Sequence, residues 1–345
     1  MKALQKTQPA FGVELREVEP PRAPGPGEVL IEVGATGICG SDLHVCEWTG
    51  GYEFVAKAMP LTLGHEFAGR IVGAGGGVVG LPMGTRVTVL PSVVCGECPA
   101  CRSGDPDQCA NRVGLGMTKP GAFAPLVLAP AENCVALPEG VDDELAALTE
   151  PLTVGARAVE VGGVGPGDRV LVLGPGTIGQ AIAIMAREAG AREVTIVGRD
   201  DGPRIACLRS LGFERAIDTA TEPLESQLAR LGGAGFDVVF EAVGIAATLT
   251  QGLALLRKGG VLVVAGIHPA PVTIDVTRMV RDQQQLRGTH RASRATWERV
   301  VRLLAEKGAA IRPMITHRVS LDQAVEGFEL ARRKLASKVI VLPKG

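Results

Sequence analysis

Val170-Leu171-Val172-Leu173-Gly174-Pro175-Gly176-Thr177-Ile178-Gly179 decides how this chain folds. Four consecutive apolar residues read as a strand buried on both faces. Gly-x-Gly-x-x-Gly follows, and a helix begins within it, carrying Ile178, Ile182, Met185, Ala186 and Ala189 before Gly190. A lone glycine pattern means little. Between a strand and a helix, the glycines let the backbone approach a pyrophosphate, and the helix N-terminus faces its charge. Gly174, Gly176, Thr177, Ile178 and Gly179 are therefore candidate dinucleotide-binding residues.

Working outward, strand, helix and glycine punctuation repeat. The patterns predict strands at 193–197, 216–217, 236–240 and 261–265 and helices at 203–211 and 246–256. This alternation predicts an α/β fold, a doubly wound parallel sheet of Rossmann type. Ligands bind at the carboxyl ends of such strands, so Val243 and Ile267, in the loops after the later strands, should face the dinucleotide. Cofactor choice is read after the second strand, where an acidic residue usually holds the ribose of NAD. Here the run is Val197-Gly198-Arg199-Asp200-Asp201, with Arg204 close by. Gly198 leaves room and Arg199 brings positive charge, which suits a 2′-phosphate and favours NADP over NAD. The alternative has Arg199 solvated and Asp200 on the ribose.

Upstream, residues 1–35 are β-rich, and 20–27 form a Pro/Gly loop. Gly37-Ile38-Cys39-Gly40-Ser41-Asp42-Leu43-His44 and then Gly64-His65-Glu66 follow. Cys39 can give a thiolate and His65 an imidazole nitrogen; Glu66 can give an oxygen or sit just behind the metal. Three ligands and one open position is the layout of a catalytic zinc. The plain alternative is a buried cysteine and a structural histidine that meet nothing.

Cys95, Cys98, Cys101 and Cys109 lie on one glycine- and proline-containing loop. Four thiolates so spaced can close a tetrahedron around a structural zinc. Disulfides conflict with the cytoplasmic location read below, and the spacing alone does not exclude an iron–sulfur cluster. Glu150, in Glu150-Pro151-Leu152, is either a solvated carboxylate or a neighbour of the metal. Trp48, Tyr52 and Phe54 either wall a substrate pocket or pack elsewhere. In the tail, 297–305 and 321–330 read as helices, 311–318 as extended and 339–342 as a strand. The division read from these features is a catalytic domain of 1–152 to which 286–345 returns, and a dinucleotide domain of 153–285.

These motifs together resemble the medium-chain dehydrogenases/reductases of the zinc alcohol dehydrogenase family, over essentially the full length. The carrying residues are Cys39-Gly40-Ser41-Asp42-Leu43-His44, Gly64-His65-Glu66 with Gly69, the four-cysteine lobe and the Gly174–Gly179 loop. Within that family the chain is similar to the sorbitol and L-threonine 3-dehydrogenase branches, through Glu150-Pro151-Leu152, Ile274-Asp275 with Thr277, and Ile315-Thr316-His317-Arg318. The resemblance implies a discontinuous GroES-like catalytic domain and two zinc ions per chain. Cys39, His65 and Glu66 would hold the catalytic ion and the four cysteines the structural one. Glu150 would stand beside the zinc water, and Asp42 would orient His65. Ser41 would take the alcohol proton and pass it toward His44. A homo-oligomer, tetrameric in preference to dimeric, is implied as well. Three positions depart from the family pattern: Thr85 and Pro125 replace common acidic residues, and Arg199 stands at the usual acidic position.

Composition narrows the function. Across 345 residues, 46% are hydrophobic, the net charge is −1 and aromatics are 3%. These values offer no basic surface for nucleic acid or anionic membrane and few platforms for base stacking. The N-terminus lacks the apolar core of a signal peptide, and Gly174-Pro175-Gly176 interrupts the longest uncharged stretch, so the reading is cytoplasmic with a small-molecule partner. Two readings of other classes stand beside the alcohol or polyol dehydrogenase: a non-catalytic dinucleotide-binding redox sensor, and a zinc-ribbon interaction protein.

Overall fold

A computed structural model describes residues 1–220, 224–230 and 235–344. The parallel sheet grows from the strand Arg169–Leu173. It pairs with Glu193–Gly198 on one side and Phe236–Glu241 on the other, and Ala216–Asp218, Leu256–Val264 and Gln285–Gly288 complete six strands. The apolar runs become central strands because helices cover both faces of such a sheet. The helix Thr177–Glu188 buries Ala181, Ile182, Ile184 and Met185, and Thr149–Gly162 packs against it.

The other half is a sheet of seven strands. Glu28–Gly37 and Glu66–Ala74 lie at its centre and run antiparallel. The last strand, Lys338–Leu342, pairs with Glu28–Gly37 and with Ile315–Ser320. The last strand thus joins the sheet built by the first strands of the chain. One apolar core cluster spans both halves, taking in Ala35 and Ala68, Val170 and Ile196, and Val300 and Leu304 from the tail.

Both divisions of the chain read from sequence fall inside elements. The helix Thr149–Gly162 runs unbroken across 152/153, since Pro151 occupies its first turn, where no amide partner is needed. The sixth parallel strand carries Gln285–Gly288, so a cut at 285/286 would split it.

Candidate active site

Strand register builds the metal cup. Gly37 lies opposite Glu66, and Ile340 lies opposite Gly37. Cys39, Glu66 and Lys338 thus converge at one end of the sheet from three strands far apart in sequence. Gly37 has to be glycine: a Cβ there would collide with the Glu66 carboxylate. Cys39 caps the helix Gly40–Glu47, and its amide donates to Asp42 Oδ2 at 3.0 Å. The other oxygen of Asp42 lies 3.5 Å from His65 Nδ1, which turns Nε2 toward the cup, 3.3 Å from Ser41 Oγ.

The ligand atoms of Cys39, His65 and Glu66 lie within 4.8 Å of one another. Ligands about 2.0–2.3 Å from a zinc ion stand about 3.3–3.8 Å apart, so the cup has the right scale. His65 and Glu66 are buried, and Cys39 opens the cup toward solvent. Glu66 Oε1 is buried with no hydrogen-bond partner, while Lys338 Nζ donates to Oε2 at 2.6 Å and to the Ile38 carbonyl at 2.8 Å. Burial and the Glu66 charge push the Cys39 thiol above its ordinary value, so a thiolate there calls for a cation. Burial opposes charge on His65, but Asp42 and Cys39 prevail and hold it well above its usual range. These donors fit a divalent metal, and the orphaned Glu66 oxygen is the atom that lacks one. Glu150 stands outside the trio. Burial and the neighbouring Glu66 charge raise it to about 7. Lys338 was not foreseen from sequence.

Ser41 and His44 lie three residues apart on one helix. His44 Nδ1 is 3.0 Å from Thr49 Oγ1, and its ring stacks on Tyr52 with centroids 5.4 Å apart. Burial lowers His44 from its ordinary value and raises Tyr52 to about 12, the latter helped by Cys39. Tyr52 thus packs flat against the His44 ring. Trp48 ends the helix in the left-handed region, φ 56°, and lies under the Lys6 ammonium, 5.5 Å from the ring centroid. Thr49 was missed; a threonine after a helix end gives no chemical signal.

On the dinucleotide side, Gly174 takes φ 114°, and a Cβ on Gly179 would overlap the Gly174 carbonyl, so the turn closes tightly on the helix. Gly176 has open space before it and caps that helix. Thr177 Oγ1 donates to the Ser337 carbonyl at 2.7 Å, so its hydroxyl joins the domains. Ile178 is half-buried against the core. Val243 and Ile267 are 45% and 49% exposed at the carboxyl ends of their strands. Buried Glu241 joins their loops by accepting from the Val243 and Gly244 amides and from His268 Nε2.

Arg199 is exposed, with no side-chain partner among the described residues. Lys334 Nζ lies beside it, 3.2 Å from the Arg199 carbonyl and 3.4 Å from Asp201. The three nitrogens of Arg204 donate to Asp201 and to the carbonyls of Ala331 and Ala336, so it ties this strand end to the C-terminal segment. Asp218 accepts three backbone amides, and Asp200 is exposed with φ 53°.

Cys95, Cys98, Cys101 and Cys109 form a second cup with sulfurs within 4.8 Å of one another. The Cys98–Cys101 and Cys95–Cys109 separations, 3.5 Å and 3.6 Å, lie far beyond an S–S bond and near the edge of a zinc tetrathiolate. The amides of Cys95 and Cys98 point at sulfurs of the set, the second-rank support such sites use.

Residues 25–139 match the model of the alcohol dehydrogenase GroES-like domain, and 177–306 that of the zinc-binding dehydrogenases. The chain is 36% identical to sorbitol dehydrogenase of Halalkalibacterium halodurans, over 99% of each sequence. To L-threonine 3-dehydrogenase of Photobacterium profundum it is 34% identical, over 99% of this chain and 98% of that one. A Sinorhizobium meliloti 1021 protein solved bound to NADP superposes with a TM-score of 0.88 at 31% identity, covering 99% of each. An alcohol dehydrogenase of E. coli CFT073 complexed with NADH gives 0.86 at 28%, also covering 99% of each.

Proposed function

The chain belongs to the zinc-binding dehydrogenase family, and from that premise we propose that it transfers hydride between a secondary alcohol or polyol and a nicotinamide cofactor, with NADP preferred. The carrying observation is the buried Cys39–His65–Glu66 cup, one of whose oxygens has no partner.

Zinc in this cup would supply a Lewis acid that lowers the pKa of an alcohol hydroxyl, and the nicotinamide would accept the hydride. The residues of the chain do the rest. Asp42 fixes the His65 ring with Nε2 facing the cup. Lys338 balances the Glu66 charge from behind. Ser41 would accept the substrate proton while releasing its own hydroxyl proton toward His44, which burial holds below its ordinary value and so neutral at pH 7, able to accept at the end of that path. Val243 and Ile267 offer apolar contact to the nicotinamide and help exclude water. The four-cysteine cup holds a second, structural zinc. NADP is supported by exposed Arg199 with Lys334 beside it, and by the engagement of Asp201 and Asp218 elsewhere. A homo-oligomer, tetrameric by family, is part of the reading.

A spectrophotometric screen of polyols, L-threonine and secondary alcohols, with NAD and NADP in parallel, tests it. We expect turnover with at least one alcohol, a higher kcat/KM with NADP, and loss of both turnover and zinc in Cys39→Ser. Tight cofactor binding with no alcohol oxidised, or full turnover in a zinc-free Cys39→Ser protein, would overturn it.

A further inference from the structure

Away from the metal cup, one buried carboxylate gathers the two loops at the carboxyl ends of the later strands. Glu241 closes the strand Phe236–Glu241, and its side chain is fully buried. Oε1 accepts from the amides of Val243 and Gly244, each at 2.9 Å, and Thr248 Oγ1 lies 2.7 Å from the same oxygen. Oε2 faces His268 Nε2 at 3.2 Å, on the loop after the neighbouring strand Leu256–Val264. A carboxylate offers acceptors only, so Nε2 carries the proton of this bond. Gly266 lets the loops touch, since a Cβ there would collide with Glu241 Oε2 and the Gly244 amide.

His268 holds a segment that little else holds. The Ala265 and Gly266 amides donate to the Glu241 carbonyl. From Ile267 to Ile274 no backbone group bonds to another described residue, and His268 makes the one side-chain hydrogen bond found there among the described residues. Val272 and Ile274 pack on the apolar core below, so the stretch tied only through His268 is 267–271. The ring is 14% exposed, so water competes little for its bond.

This segment lies between the dinucleotide turn and the proton acceptor. A Cβ on Gly174 would strike Val243 and the Ala242 carbonyl, so the first loop rests directly on the dinucleotide turn. On the other side, a Cβ on Gly50 would sit 3.5 Å from the Pro269 carbonyl oxygen. Gly50 follows Thr49, whose Oγ1 is 3.0 Å from His44 Nδ1. Ile267, 49% exposed, stands between these two contacts.

We propose that His268 is a positioning residue for hydride transfer. Through Glu241 it fixes the 267–271 segment, and so holds Ile267 against the nicotinamide end of the cofactor. The Gly174–Gly179 turn and Arg199 hold the adenosine end without it. The proposal rests on the dehydrogenase reading and adds to it a residue that touches neither the metal cup nor the adenosine end. Its signature is that the two ends of the cofactor respond separately.

The test uses the zinc-loaded enzyme and reads binding apart from turnover. NADPH is titrated by its nicotinamide fluorescence, and 2′,5′-ADP, which lacks the nicotinamide, by calorimetry; NADH and ADP form a parallel pair. Wild type is compared with His268→Leu, His268→Gln and Thr248→Val. We expect His268→Leu to weaken the whole cofactor about tenfold, the loss of one bond to a charged group, and to leave the fragment within about twofold. His268→Gln can still donate to Glu241 and should recover most of that loss. Thr248→Val loosens Glu241 from its other side and should give the same pattern at about threefold. In turnover with an alcohol substrate, His268→Leu should raise the cofactor KM and enlarge the deuterium isotope effect on kcat, because a loosely held nicotinamide slows the hydride step. Equal weakening of cofactor and fragment, or no weakening of either, overturns the proposal and leaves the dehydrogenase reading standing. A His268→Gln variant as weak as His268→Leu overturns it too. A wild type that binds neither cofactor overturns the proposal together with the dehydrogenase reading. The expected binding pattern with no alcohol oxidised removes the dehydrogenase reading and keeps His268 as the residue that seats the nicotinamide.

Discussion

Lys338 shows how much one buried charge can decide. Its side chain is 1% exposed and that of Glu66 is fully buried, so neither charge has water to fall back on. Burial alone would lower the ammonium, but Glu66 and Cys39 hold it raised. Removing one member of such a pair leaves the other unpaired, at about 3–5 kcal/mol. We expect Lys338→Met to lose about 3 kcal/mol in urea unfolding and to bind zinc more weakly in a chelator competition. Adding Glu66→Gln should recover part of the stability but not the metal. An additive double variant would remove the pair from the account. The ligands themselves were legible in sequence because cysteine, histidine and glutamate advertise their chemistry. Lys338 was not: beside Val339-Ile340-Val341-Leu342 a lysine reads as the solvated end of a strand, and only the register with Gly37 shows it buried. Arg199 carries a second expectation at this scale. If it holds a 2′-phosphate, Arg199→Ala should lower kcat/KM with NADP about tenfold, one charge-assisted bond, and change the NAD value far less. Equal losses with both cofactors would count against NADP.

Among the elements, the four-cysteine lobe depends on its ligands most. Its helix Pro99–Arg102 buries no residue, so packing does not hold it. We expect a thiol-selective chelator to release one zinc per chain and to raise hydrogen exchange across 95–112, while the strand Arg169–Leu173 stays protected. Exchange rising everywhere at once would show that the lobe is not an independent unit. The parallel sheet has a charge fastening of its own. Asp237 accepts from the Arg169 amide at 2.8 Å and from Arg257 Nε at 2.5 Å, joining the bases of two strands. Burial opposes its charge, but these bonds prevail and hold it below its usual 3.8. A depressed carboxylate adds stability that is present above the unfolded value and lost as pH falls through the folded one. Asp237→Asn should therefore cost about 1.5 kcal/mol at pH 7, with the gap to wild type closing as the pH falls below the ordinary 3.8. A gap constant with pH would mean that shape, not charge, is at work. The central strands were legible because they are apolar throughout. Gln285–Gly288 was missed because an edge strand half open to water carries Gln285 and Arg287, and nothing in that pattern marks a sheet.

For the whole molecule, the two halves are one packed body. The shared core spans them, and Ser337 receives Thr177 and Gln180 while Ala331 and Ala336 receive Arg204. The sequence reading found both halves through their separate motifs but could not see this joint, whose acceptors are backbone carbonyls and the Ser337 hydroxyl. One edge of the parallel sheet is Gln285–Gly288, which among the described residues pairs on one side only; Leu286 is 37% exposed, and Val276 and Val280 on the preceding helix are 58% and 71% exposed. An open strand edge beside apolar side chains favours pairing with another chain, and a second copy brings the same edge in self-complementary form. If the chain forms the proposed oligomer, this edge is the surface on which a second copy would pair. Val280→Asp with Leu286→Asp places two charges in that interface, where each would be desolvated without a partner. Light scattering after size exclusion should show an oligomer for wild type and a smaller species for the double variant, with far-UV dichroism unchanged. A wild-type monomer, or a variant that keeps its mass, would put the interface elsewhere.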